Sequence, residues 1–299
     1  MSPFVKGALY VFLSAFGFGL LPIFAILAYQ DGTNVVTVLF FRFMIASAIF
    51  FLILLATKTK IRLTWKQAAA MFCLGGLLYT LQSFSYFSAV KYIPSPLAAL
   101  ILYTFPMFVA FLSVWVEKEK LTGRTLFSIG VSFVGLCLVL GSSFGAINWF
   151  GALLALAAAL FYSVYIILGN RLVQGLPPML VSGFISLFAA SSLLVVGGVS
   201  GDITASLTSK TWGGILGVTL FSTVVSIACF FRGLQLISST QASVLSTIEP
   251  LVTLAFSALL FGDRLSVVQM TGGLIVLVGA VLTVMARGQT PEKARVQAE

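Results

Sequence analysis

The sequence predicts an all-α membrane protein: ten transmembrane helices built as two inverted five-helix repeats. Three observations carry this. First, the 299 residues have a mean hydropathy of +1.11, with 60% hydrophobic and only 8% charged residues. Soluble domains carry about 25% charged residues, so a water-soluble globule is excluded. Second, the chain divides into ten apolar runs near the roughly 20 residues a helix needs to cross a bilayer. Third, sliding the chain by 144 residues superposes five runs on the other five.

The runs cover residues 4–29, 34–57, 67–90, 95–116, 124–141, 148–170, 176–197, 211–236, 240–261 and 265–286. They are long and do not alternate in polarity, which favours helices over barrel strands. The first run continues to Tyr29 with no small-residue cleavage site after it, so it reads as a retained helix rather than a signal peptide. With the N-terminus inside, twelve Lys and Arg fall on cytoplasmic segments and three on outer ones. This bias places both termini in the cytoplasm. It also accounts for the net charge of +9 without nucleic acid. The 287–299 segment, RGQTPEKARVQAE, is a polar cytoplasmic tail.

At the offset of 144, Gly7-Ala8-Leu9 falls on Gly151-Ala152-Leu153, Gln30 on Gln174, Phe40 on Phe184, Pro106 on Pro250, and Gly135 on Gly279. The repeats are drawn as 4–141 and 148–286. Five spans is an odd number, so the second repeat enters the membrane inverted. Secondary transporters use this arrangement to bind solutes at the repeat interface.

The spans contain few groups that can do chemistry. The chain has no histidine, and Cys73, Cys137 and Cys229 each stand alone in apolar runs. One acidic residue, Glu249, lies well inside a span. Neither a Ser-His pair, an Asp-Asp pair nor a zinc site can be built, and no Walker A motif is present. No enzyme activity, cofactor or metal is expected. A channel would want charged rings or carbonyl filters, and a receptor would want an ectodomain. A transporter of a small solute remains, with a membrane channel or receptor as remote alternatives.

Polar residues at lipid depth tend to face the bundle interior. In the third span Tyr79, Gln82, Ser83 and Tyr86 share one helical face. The offset maps this face onto Thr223, Ser226, Ile227 and Phe230 of the eighth span, flanked by Ser222. These are either two walls of a solute cavity or, for the hydroxyls above all, interhelical hydrogen bonds. Pro106 and Pro250 are paired hinge candidates, because proline frees a carbonyl four residues back. Those carbonyls belong to Leu102, beside Tyr103, and to Ser246. Pro22 falls on Ile166 and bends only the first span. Tyr162 and Ser163 of the sixth span are weaker pocket candidates, with Tyr165 and Asn170 near them. Glu249 has three open roles: pairing a substrate ammonium, carrying a proton, or locking the ninth helix. Arg42, about 12 Å from the outer end of its span, either holds a carboxylate or binds backbone carbonyls. Arg232, near an inner end, snorkels.

The stretch STQASVLSTIEPLVTLAFSALLFGDRLSVVQMTGGLIVLVGAVL resembles the second EamA repeat of the drug/metabolite transporter superfamily. The resemblance rests on Glu249-Pro250, the Gly262-Asp263-Arg264 turn and the glycines Gly272, Gly273 and Gly279. Arg42-Phe43 followed by Ala46 is similar to the superfamily's Arg-Phe motif. The likeness covers roughly 4–286 and is greatest to the YddG-type aromatic amino acid exporters. One departure is that the first-half mate of Glu249 is Phe105. The resemblance implies export of aromatic or hydrophobic amino acids and related amphipathic molecules by alternating access. Proton-coupled export of other drugs or metabolites is the alternative. It also implies a bacterial inner membrane location. The expected partners are a small-molecule substrate and the lipid bilayer. The oligomeric state is left open, a monomer being sufficient.

Overall fold

A computed structural model describes residues 2–29, 32–59, 61, 63–89, 92–93, 95–140, 148–204, 206–261 and 266–285. Gln30, Lys60, Arg62, Lys91, the Gly262-Asp263-Arg264 turn and the 287–299 tail lie outside the described residues. The described residues form ten helical spans: Pro3–Tyr29, Val35–Ala56, Trp65–Tyr86, Leu97–Val116, Gly123–Leu140, Trp149–Val173, Pro178–Ser200, Ser209–Leu234, Ser239–Leu260 and Val267–Met285. Each lies within four residues of its expected run.

The helix starts follow local chemistry. Ser2, Asn34, Thr64, Asn148, Thr208 and Ser238 each accept a hydrogen bond from an orphan amide of the first turn. Thr64 with Gln67, and Ser238 with Gln241, close reciprocal capping boxes. Thr64 and Thr208 are mates under the 144 offset, so the third and eighth spans begin in the same way. Large apolar side chains such as Phe111, Leu126, Leu259 and Leu274 face outward, as a lipid solvent requires. Serines and threonines are concentrated among the buried polar residues.

Contacts obey the repeat. The first span packs on the eighth, and the third on the sixth; the ninth packs on the first, and the fourth on the sixth. The second packs on the seventh, the fourth on the ninth, and the fifth on the tenth. The last pair is the closest. A Cβ on Gly135 would lie 2.6 Å from the Val276 backbone nitrogen, and one on Gly279 would lie 2.9 Å from that of Ser132. Ser132 and Val276 are themselves mates at the offset, so one contact occurs twice. Likewise, a Cβ on Gly272 would lie 2.8 Å from Val139 N, while Thr283 Oγ1 donates to Ser128 Oγ at 3.0 Å. Small residues let these two backbones meet.

Three spans are interrupted, and two of the interruptions are mates. The fourth runs as Ser95–Leu102 and Phe105–Val116, the ninth as Ser239–Ser246 and Glu249–Phe261. Pro106 and Pro250 sit in the first turn of the second segment, where their missing N–H costs nothing. The helix is therefore broken at Tyr103-Thr104 and at Thr247-Ile248, a larger departure than the bend expected from proline alone. The hydroxyls of Thr104 and Thr247 close the preceding segments on the carbonyls of Ile101 (2.6 Å) and Val244 (2.7 Å). The first span also restarts, at Leu21 with Pro22, whereas its mate, the sixth span, is continuous.

The third and eighth spans carry π-helical segments, Cys73–Tyr79 and Leu220–Val225, which overlap at the offset. In the eighth, Thr223 Oγ1 and Ser226 Oγ donate to the carbonyls five residues back, Val218 at 3.0 Å and Phe221 at 2.8 Å. These bonds match the widened ring of a π turn, which recurs at functional sites.

Candidate functional site

The broken fourth and ninth spans cross at their interruptions and bring Tyr103 to Glu249. Tyr103 Oη donates to Glu249 Oε2 at 3.4 Å. Both side chains are partly exposed within the bundle. From there a row of rings runs through both halves. Tyr103 meets Phe105 (centroids 6.1 Å), Phe105 meets Tyr162 (4.7 Å), Tyr162 stacks on Tyr165 (6.0 Å), Tyr165 meets Tyr79 (6.4 Å) and Tyr79 meets Phe43 (4.9 Å). Tyr162 lies within electrostatic reach of Glu249, and Tyr86 within that of Tyr103. The row spans the second, third, fourth and sixth spans and faces the carboxyl of the ninth.

The symmetry explains why this site is lopsided. Phe105 and Glu249 open the second segments of equivalent spans. The Phe105 carbonyl accepts from Ser163 Oγ of the sixth span at 3.2 Å. Gly19 of the first span, the mate of Ser163, packs on the Glu249 carbonyl, where a Cβ would come within 2.7 Å. The backbone is repeated and the side chains are not: one half contributes an aromatic ring where the other contributes a carboxyl.

The sequence-predicted residues separate into two groups. Tyr79, Gln82, Tyr86, Tyr103, Tyr162 and Glu249 are partly exposed; Tyr103 and Glu249 meet at the crossing, Tyr162 and Tyr79 lie along the row of rings, and Gln82 Oε1 accepts from the buried Ser83 hydroxyl at 3.4 Å. Ser163, Thr223, Ser226 and Ser246 are buried. Ser163 also donates to Ala159 O at 2.7 Å. Thr223 and Ser226 serve the π turn, and Ser222 Oγ ties it to Gly17 O of the first span at 2.6 Å. The bond of Ser226 stays within the eighth span, whereas Thr223 Oγ1 also accepts from Arg42 of the second. Among the described residues, Ser246 Oγ has no hydrogen-bond partner. Phe105, Phe43 and Phe231, the last with its ring centroid 6.0 Å from that of Tyr165, carry no polar signal that would mark them as ring partners in the sequence.

Arg42 is 2% exposed. Its Nε donates to Thr223 Oγ1 at 2.5 Å and its Nη2 to Ser222 O at 3.0 Å, with the guanidinium 4.9 Å from the Phe43 ring centroid. It joins the second span to the π turn of the eighth. Arg232 is exposed and donates to Gln235 Oε1 at 2.5 Å.

A polar network joins the C-terminal ends of the fourth and sixth spans to the N-terminal end of the ninth. Glu117, just beyond the fourth span, accepts from Asn170 Nδ2 at 2.6 Å and from Ser239 Oγ at 3.0 Å. Lys118 adopts a left-handed φ of 59°. This lets Glu119 N reach Ser113 O at 3.2 Å and turns Glu119 towards the bundle, where Thr240 Oγ1 donates to Oε2 at 2.8 Å. Burial pushes the Glu117 carboxyl above the usual carboxylate range, outweighing the Asn170 and Ser239 bonds that pull it down; Glu119 adds to the rise and Arg171 opposes it. The folded state therefore holds a proton that the unfolded chain releases. Stability conferred by the protonated group is present below the ordinary value of 4.5 and is lost as pH climbs through the raised one. Glu117→Gln keeps the acceptor oxygen, so it should flatten this fall. Melting temperatures of purified wild type and variant across acidic to neutral pH check this.

The chain matches the model of the EamA-like transporter family twice, over residues 5–141 and 149–285. It is 23% identical over 260 residues to the uncharacterized transporter YcbK of Bacillus subtilis, covering 82% of each chain. It is 28% identical over 224 residues to a probable amino-acid metabolite efflux pump of Salmonella typhimurium, covering 70% of this chain and 74% of that one. A solved crystal structure superposes with a TM-score of 0.82 at 20% identity, over 94% of this chain and 98% of the other.

Proposed function

The chain belongs to the EamA-like transporter family, and we propose that this multi-pass membrane transporter exports aromatic and hydrophobic amino acids through a central chamber by alternating access. One observation carries the reading: the two broken helices cross where Glu249 faces the Tyr103–Phe105–Tyr162 rings. A ligand site wants apolar faces to stack on and a few polar groups to orient the ligand. Here the rings receive an aromatic side chain and Glu249 receives the ammonium group. The relative named as a probable amino-acid metabolite efflux pump supports the substrate class. The twelve-to-three distribution of basic residues supports cytoplasmic termini in a bacterial inner membrane.

The paired interruptions suit alternating access, because equivalent breaks let either half of the bundle adopt the other's shape. Glu117, Asn170, Ser239 and Thr240 then form the inner closure. The positions related to Glu117 and Asn170 by the offset are Phe261 and Ile26, so the Glu117–Asn170 bond has no counterpart at the other end.

The test is counterflow of labelled tyrosine, phenylalanine and tryptophan, against alanine and glutamate, in proteoliposomes. Aromatic substrates should exchange and glutamate should not. Tyr79→Ala removes a ring between Tyr165 and Phe43 and should weaken tyrosine counterflow about 3- to 10-fold, the equivalent of a 0.5–1.5 kcal/mol aromatic pair. Unchanged counterflow in a folded Tyr79→Ala variant removes the third span from the site.

A further inference from the structure

We infer that the site grips its ligand by ammonium and ring alone, so that aromatic monoamines lacking a carboxylate are ligands of equal standing with the amino acids. The inference rests on the crossing of the fourth and ninth spans being the ligand site. It goes beyond the proposed function in assigning no protein partner to the carboxylate.

Among the described residues, only Arg42 and Glu249 are charged more than one turn inside a span. Arg42 is the one cation at that depth, and it is engaged. It is buried, its Nε and Nη2 are bonded to Thr223 and Ser222, and its planar face lies over Phe43. To reach a ligand carboxylate, it would have to leave the π turn of the eighth span. The other Lys and Arg of the described residues lie within about one turn of a span end or beyond it.

The crossing offers the opposite charge preference. Glu249 has a single, long hydrogen bond, from Tyr103 to Oε2, which leaves Oε1 without a donor among the described residues. A primary ammonium brings three donors to such an oxygen. The Tyr103 and Tyr162 side chains are partly exposed, with the buried Phe105 packed against both, and aromatic faces attract a cation. A carboxylate placed there meets a like charge and negative ring faces, with no arginine to offset either. In an amino acid it therefore finds no free cation at that depth among the described residues of the spans, and it adds little.

The probes are tyrosine, tyramine and 3-(4-hydroxyphenyl)propionate, which share a ring and differ only in their charged groups. They compete against labelled tyrosine counterflow into proteoliposomes, with protein-free liposomes correcting for leak. Tyramine should compete within about threefold of tyrosine, and the propionate at least about thirtyfold more weakly, as expected when only the charge-assisted amine contact is lost. Competition by the propionate without competition by tyramine overturns the inference and leaves the proposed transport standing. Isothermal titration of the purified protein with tyramine provides a second reading that does not need transport. Tyramine binding in a protein that fails to move tyrosine upholds the inference and removes the proposed function. Absence of tyramine binding overturns the inference whatever tyrosine does. Loss of tyramine binding in a Glu249→Gln variant with an unchanged helical circular dichroism spectrum supports it, and unaltered binding overturns it.

Discussion

Replacing Glu249 by glutamine is expected to lower tyrosine counterflow roughly 10- to 100-fold, because a hydrogen bond to a charged group contributes about 1.5–3 kcal/mol and each 1.4 kcal/mol is tenfold. The amide keeps the shape and an acceptor for Tyr103 but removes the charge that faces the ligand ammonium. The position is partly exposed at a helix break, so the neutral side chain is expected to be tolerated by the fold. The variant also separates two of the three roles open to this carboxyl, ammonium pairing and proton carriage. Transport that persists but loses its pH dependence identifies Glu249 as a proton carrier instead. Transport and pH response both unchanged remove Glu249 from the site and the proposed chamber with it.

Arg42→Ala is expected to act on the fold rather than on the ligand. It deletes two hydrogen bonds made by a buried charge, strips the Ser222 carbonyl of its donor, and leaves a cavity beside Phe43. Together these should destabilise the protein by roughly 3–5 kcal/mol. The eighth span should loosen from the second first. Arg42→Lys keeps the charge but cannot present two donors in a fixed fork, so it should recover only part of the loss. Thermal unfolding of the purified variants in detergent reads both effects. An Arg42→Ala protein that melts with the wild type yet has lost transport would make Arg42 a ligand group, contrary to its present bonding.

The bundle was readable from composition because lipid is an unforgiving solvent. Helices are the only way for long apolar runs to satisfy their backbone, and the 144 offset exposed the repeat. The breaks were partly readable: proline at 106 and 250 marked the place, but the extent of the interruption depends on Thr104 and Thr247 closing the segments before them. The π segments were not readable. The one in the eighth span is accompanied by hydroxyls reaching carbonyls five residues back and by Gly17 letting the first span approach, and neither leaves a periodic trace. Within the candidate site, tyrosines and the carboxyl stood out as costly groups at lipid depth. Phe105 was visible only as a missing partner for Glu249. The hydroxyls of Thr223 and Ser226 looked like cavity lining because sequence cannot say which buried donor already has an acceptor. The Glu117 network was missed because its members come from the ends of three spans far apart in the chain.

The paired contacts of the fifth and tenth spans have a consequence for the origin of this architecture. Gly135 on Val276 and Ser132 on Gly279 are one contact made twice, the mark of an isologous interface. A half-length protein inserting in both directions would form the same seam as a homodimer, but every substitution in it would appear on both sides. Fusing the copies removed that restriction. A carboxylate opposite a phenylalanine, and an arginine where the other half has Ser186, are pairings open to a duplicated gene and closed to a symmetric assembly.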